Sequence, residues 1–163
     1  MSYPEPRYLG DGGEVSAVLR PADHPPEIAN PATGHSAHYL ATGTTTGGDF
    51  GLYRWNMGTE PSGPAPHFHR TMSESFFVID GTVSLYDGQG WREATAGDFL
   101  FVPAGGIHGF RNESGPASML ILFTPGAPRE GYFEGLAQVA LGSRKMTAEE
   151  YDAFCVEHDN HFV

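Results

Sequence analysis

Apolar residues fall in short runs through the first three quarters of the chain and at helical spacing in the last. Residues 14–20 (EVSAVLR), 36–42 (SAHYLAT) and 49–57 (DFGLYRWNM) read as early strands. From residue 66 the runs PHFH, ESFFVID, TVSLYD, WREA, FLFV, IHGFRN and ASMLILFT follow one another, separated by Gly, Asp and Pro. Such a succession predicts an all-β sandwich or barrel. Asp80-Gly81 and Asp87-Gly88 supply residues that tolerate the positive φ of tight hairpin turns. After Thr124-Pro125-Gly126 the period lengthens, placing Phe133, Leu136, Val139 and Ala140 on one face of a helix. Thr147-x-x-Glu150 is a capping box that starts a second helix, with Tyr151, Phe154 and Cys155 sharing a face. The expected organisation is one domain over 1–163. It has an arm at 1–13, a proline-rich loop at 21–34, a barrel over about 36–124 and a helical segment over about 129–158, read as packing without a catalytic role.

Composition supports a packed interior: 39% of the 163 residues are hydrophobic and 12% aromatic. The 22 Gly and 13 Pro follow no short period, so they act as punctuation between strands. Twenty acidic against nine basic side chains give a net charge of -11, whose field repels phosphate backbones and anionic lipid. Nucleic acid and membranes are therefore not expected as partners. The single cysteine, Cys155, excludes an intramolecular disulfide and reads as a buried structural thiol. The N-terminus has neither a basic start nor a signal-length apolar run, and no stretch reaches the roughly 18 apolar residues of a spanning helix, which together place the chain in the cytoplasm.

The chemistry lies between residues 67 and 108. In a strand, positions two apart share a face, so His67 and His69 present two imidazoles side by side. A short turn leads to Glu74, and the Pro103-Ala104-Gly105-Gly106 turn lets a later strand bring His108 back across the same interior. Neutral imidazole and carboxylate suit first-row divalent ions and leave coordination positions open for water, dioxygen or a chelating substrate. Fe, Mn, Ni, Co, Cu and Zn all accept such a set, so one divalent ion is expected without its identity. The pairs His35/His38 and His158/His161 have no carboxylate or cysteine partner in register and read as surface residues. Asp98, after Gly97, reads as turn chemistry.

The spacing His67-x-His69-x4-Glu74-x6-Gly81 resembles the first motif of the cupin family, and Gly97-x5-Pro103-x-Gly105-x2-His108-x3-Asn112 resembles the second. The first motif often opens with Gly six residues before its first His; here that position is Pro61, with Gly63 nearby. The resemblance covers residues 50–124 and implies a double-stranded β-helix, the jelly-roll cupin barrel, with His67, His69, Glu74 and His108 as metal ligands. By parity from Glu74, Phe76 and Val78 point inwards, and Phe110 joins His108 on the inner face. Tyr53, Trp55 and Met57 are further candidates for the substrate pocket, or plain core between the sheets.

Resemblance to single-domain quercetinase-like cupins implies a dioxygenase acting on an aromatic or enolic small molecule such as a flavonol, with dioxygen as co-substrate. Glu74 would double as general base, its pKa raised by an apolar cavity. The alternatives are a non-redox isomerase or polyketide cyclase in which the metal polarises a carbonyl, or a metal-dependent binding module without turnover. Strands such as 36–42 have edges to protect, and family members often pair barrels, so a homodimer is expected.

Overall fold

The computed structural model describes residues 2–113 and 115–163. Its strands are β1 (Ile28–Asn30), β2 (His35–Ala41), β3 (Gly51–Met57), β4 (His67–Phe68), β5 (Ser73–Asp80), β6 (Thr82–Tyr86), β7 (Trp91–Thr95), β8 (Phe99–Val102), β9 (Gly109–Arg111) and β10 (Ala117–Thr124). Helices α1 (Glu130–Ala140) and α2 (Ala148–Glu157) follow, and a terminal strand β11 (His161–Phe162) closes the chain. No helix among the described residues is long and apolar enough to cross a membrane.

A six-stranded antiparallel sheet runs β1-β2-β3-β10-β5-β8, opposed by a three-stranded sheet β7-β6-β9, with β11 and β4 forming a two-stranded ribbon. This is the all-β jelly-roll barrel. Strand β10 lies at the centre of the large sheet, and its alternation decides which residues face in. Ala117, Met119, Ile121 and Phe123 are buried, while Ser118, Leu120 and Leu122 turn to the outer face. Across the register Met119, Ile121 and Phe123 pair with Val78, Phe76 and Glu74 of β5, so the parity expected for β5 holds. Phe76 meets Phe110 of the small sheet with ring centroids 5.6 Å apart, joining the two inner faces. Burying each such side chain stabilises the fold by about 1.5–3 kcal/mol relative to exposure.

The β5–β6 hairpin turns at Gly81, which adopts φ +74°, the left-handed region that glycine enters without a Cβ penalty. Asp98 closes the β7–β8 turn, its carboxylate accepting from the Thr95 N–H at 2.7 Å.

Several expectations are corrected. Residues 14–20 form no strand and pair with none among the described residues, and Val15, Val18 and Leu19 are exposed. The loop at 21–34 contains β1, which pairs with β2 through Ile28↔Ala37. Strand β2 is therefore no edge; it lies between β1 and β3, and the edges are β1 and β8. Neither His38 nor His35 is a plain surface residue: His38 is buried, with Nε2 3.0 Å from the Arg54 guanidinium, and His35 is half-buried and borders a cavity beside Trp55. In α1, Phe133 is buried but Ala140 is exposed; Tyr132 and Gly135 complete the buried face. Helix α2 has the expected capping box between Thr147 and Glu150, and buries Phe154 and Cys155.

Candidate metal centre

Four side chains, three of them within eight residues and the fourth three strands later, converge inside the barrel. His67 lies on β4, His69 just after it, Glu74 on β5 and His108 just before β9. His67 and His108 are held opposite one another by reciprocal backbone hydrogen bonds of 2.9 Å, and the Gly105 N–H donates to the His69 carbonyl at 2.7 Å. These bonds fix three imidazoles whose ring centroids stand 4.4–5.1 Å apart. All four side chains are buried, and one potential ligand atom from each lies within 4.8 Å of all the others.

Orientation is set from behind. Each imidazole places Nδ1 against a backbone carbonyl: His67 on Ala65 at 2.8 Å, His69 on Asp159 at 2.6 Å and His108 on Gly106 at 2.9 Å. A carbonyl only accepts, so Nδ1 carries the proton and the Nε2 lone pair points into the cluster. Nε2 of His69 and of His108 lie 2.9 and 2.8 Å from the same Glu74 oxygen, Oε2. With Nδ1 already protonated, those two contacts need added protons, and a cation at the cluster satisfies the same lone pairs without them. The donor set thus fits a divalent ion, and its outer hydrogen bonds are of the kind that tune ligand basicity.

Electrostatics agree. Burial pushes the His67 imidazole down, helped by neighbouring His108, to about 4, so it is neutral and available as a ligand at neutral pH. Burial alone pushes the Glu74 carboxyl up, but hydrogen bonds from His108 and His69 outweigh it and hold it well below the usual carboxylate range. This reverses the elevation expected from an apolar cavity, because the expectation omitted the donors against Oε2. His108 moves upward: its burial is outweighed by the same carboxylate.

The cluster opens on a cavity of about 290 Å³, bordered by His67 and Glu74 and walled by Trp55, Phe110, Phe123 and Phe133. Of the pocket candidates, Trp55 and Phe110 line this space. Tyr53, Met57, Phe76 and Val78 do not; they are closed into the core by packing between the sheets. Tyr53 instead donates its hydroxyl to Glu130 at 2.5 Å, tying β3 to α1.

Residues beyond the barrel also matter. Arg129, Tyr132, Phe133, Leu136, Tyr151 and Asn160 border the cavity, so the C-terminal segment walls the site as well as packing. Helical spacing predicts only part of that face, and the two-residue strand β11 is too short to carry an alternating pattern.

The buried Asn112 of the second motif is a structural anchor. Its amide nitrogen contacts the carbonyls of Gly58, Glu60 and Gly115, and its Oδ1 accepts from the N–H and hydroxyl of Ser62. Gly63 passes so near β9 that a Cβ would sit 1.9 Å from the Phe110 carbonyl oxygen, which accounts for a glycine at this position.

The sequence profile of the family described as "Cupin domain" matches residues 54–123, the stretch that contains all four ligands. The chain belongs to the cupin superfamily. This cupin is 34% identical over 61 residues to the quercetin 2,3-dioxygenase of Bacillus subtilis, a match covering 37% of this chain and 18% of that enzyme. It is 32% identical over 75 residues to an uncharacterised Streptomyces coelicolor protein, covering 46% of this chain and 68% of that one. The match thus spans less than a fifth of the Bacillus enzyme. Among solved structures, a predicted oxalate decarboxylase from Thermotoga maritima superposes with a TM-score of 0.57 at 19% identity, over 66% of this chain and 97% of that one, a likeness of fold.

Proposed function

We propose that this cupin is a metal-dependent dioxygenase that acts on an aromatic or enolic small molecule, a flavonol being the test case. The observation that carries the reading is the junction of a complete three-histidine, one-carboxylate set with a small aromatic-walled cavity. The partial identity to the Bacillus quercetin 2,3-dioxygenase supports the choice of reaction. When bound, the ion supplies Lewis acidity and open coordination positions to a chelating substrate and to dioxygen.

The chain's own residues do the rest. His67, His69 and His108 hold their Nε2 atoms inward through their Nδ1 bonds. Trp55, Phe110 and Phe133 pack against the apolar body of the substrate and exclude water. Glu74 takes the substrate hydroxyl proton; held ionised, it is available as an acceptor at physiological pH, and it is a weaker base than a carboxyl of raised pKa.

The test is oxygen uptake by protein loaded in turn with Fe, Mn, Co, Ni or Cu and supplied with quercetin. Uptake dependent on metal and flavonol supports the reading. No uptake with any ion contradicts it, turnover of an enolic substrate under nitrogen selects a non-redox isomerase or cyclase, and tight binding with unchanged recovery selects a binding module.

We also propose a homodimer, located in the cytoplasm. The outer face of the large sheet exposes Phe77, Ile79, Phe99 and Phe101 beside its β8 edge, an apolar patch suited to a second copy. Cys155 is free and buried, in keeping with a reducing compartment.

A further inference from the structure

Arg129 stands at the N-terminus of α1, outside the stretch matched by the family profile, and is only 3% exposed. A guanidinium carries five N–H donors and keeps its charge in proteins. Two are engaged: Nη1 donates to the His158 carbonyl at 2.6 Å and Nη2 to Asn160 Oδ1 at 2.9 Å. Both acceptors are neutral. Nε is buried with no acceptor, and no carboxylate among the described residues lies within ion-pairing distance of Arg129. The rings of Tyr132, Phe123 and Phe133 surround it at 4.4, 5.0 and 5.5 Å from the guanidinium carbon. Glu74 and Asp159 favour its charge only from beyond ion-pairing distance, and burial outweighs them; a buried cation without a paired counter-charge is costly, and aromatic faces offset only part of that cost. Arg129 borders the same cavity as His67 and Glu74, so the space between them joins the unpaired cation to the metal centre.

We propose that Arg129 is the anchor for a carboxylate on the substrate, and that this cupin acts on small aromatic or enolic carboxylic acids. This rests on the reading of the cavity as the substrate site of a metal centre, and narrows it from enolic aromatics in general to those bearing an acid. The planar fork and charge of a guanidinium match the two anionic oxygens of a carboxylate, whereas a neutral amide or ester offers a single carbonyl oxygen and no counter-charge. Three neutral imidazoles, one carboxylate and a divalent ion leave a surplus of one positive charge; Arg129 adds a second, and both favour an anion. The apolar walls then hold the remainder of the molecule.

The test uses full-length protein loaded with Co²⁺, whose absorption reports occupancy of the metal centre, and a matched pair of probes, cinnamate and cinnamamide, by calorimetry. The expected result is that cinnamate binds at least about tenfold more tightly than the amide, in line with a charge-assisted hydrogen bond. In Arg129→Gln that preference is expected to fall about tenfold with the Co²⁺ spectrum retained. Because Arg129 also tethers His158 and Asn160, unfolding of each variant is followed by circular dichroism. If the glutamine variant does not fold, Arg129→Lys replaces it and is expected to keep the acid preference in weakened form. Equal preference in wild type and a folded Arg129→Gln overturns the inference, as does no preference in Co²⁺-loaded wild type. If Co²⁺ does not bind, the metal reading itself fails. The pair is then measured on the metal-free protein, where a preference for the acid abolished by Arg129→Gln still supports the anchor and its absence overturns it.

Discussion

The peptide carbonyl of Asp159 accepts a 2.6 Å hydrogen bond from Nδ1 of His69, 90 positions earlier in the chain. The same residue's carboxylate accepts from the backbone N–H groups of Arg70 and Thr71 and from the Thr71 hydroxyl, so the C-terminal tail clamps the turn between two ligands. Asp159 does this from φ +58°, a left-handed conformation that Asp tolerates better than most residues. Deleting residues 158–163 should therefore weaken metal affinity roughly 10–100-fold, the usual cost of losing an outer hydrogen bond to a ligating histidine. Chelator competition checks this; unchanged affinity would mean that the barrel alone orients His69.

Acid sensitivity should follow from the same clamp. Burial pushes the Asp159 carboxyl up, but the Thr71 hydroxyl and the Arg70 and Thr71 N–H groups outweigh it, so its pKa in the folded protein is lowered. Its stabilisation is full above the unfolded value of about 3.9 and lost as pH falls through the folded one. His67, near 4 when folded against about 6.5 unfolded, makes the metal-free protein less stable as pH falls across that window. His108, shifted upward, opposes this: its contribution is present below about 6.5 and lost as pH rises. Thermal melts of metal-free protein against pH should show an acid limb that Asp159→Asn flattens below about pH 4.

Asn112→Ala should destabilise without removing a ligand. Its amide is buried among the carbonyls of Gly58, Glu60 and Gly115, which would be left unsatisfied at a cost of about 2–4 kcal/mol. A drop in Tm of roughly 5–15 °C with metal stoichiometry intact is expected; an unchanged Tm would contradict the anchoring role.

The strands from residue 66 onward were legible because Gly and Asp turns bracket short alternating runs, and the ligands were legible because spacing of two fixes a shared strand face. Residues 14–20 misled because apolar content does not reveal whether an edge is available to pair. The direction of the Glu74 shift was hidden because its donors, His69 and His108, meet only in three dimensions. Arg129 is hidden for the same reason: one arginine before a helix carries no periodic signal, and only burial among Phe123, Tyr132 and Phe133 distinguishes it.

Light scattering after size exclusion should give twice the chain mass of 17.6 kDa, and Phe101→Glu should return it to one chain mass by placing a charge in the outer-face patch. A wild-type protein of one chain mass would contradict the dimer.

The central claim is that His67, His69, Glu74 and His108 hold one divalent ion. Elemental mass spectrometry of the purified protein, before and after reconstitution, tests it most directly. About one transition-metal ion per chain is expected in the wild type, lost in His67→Ala and Glu74→Ala variants that remain folded. Absence of metal from reconstituted wild type, or equal metal content in those variants, would contradict it.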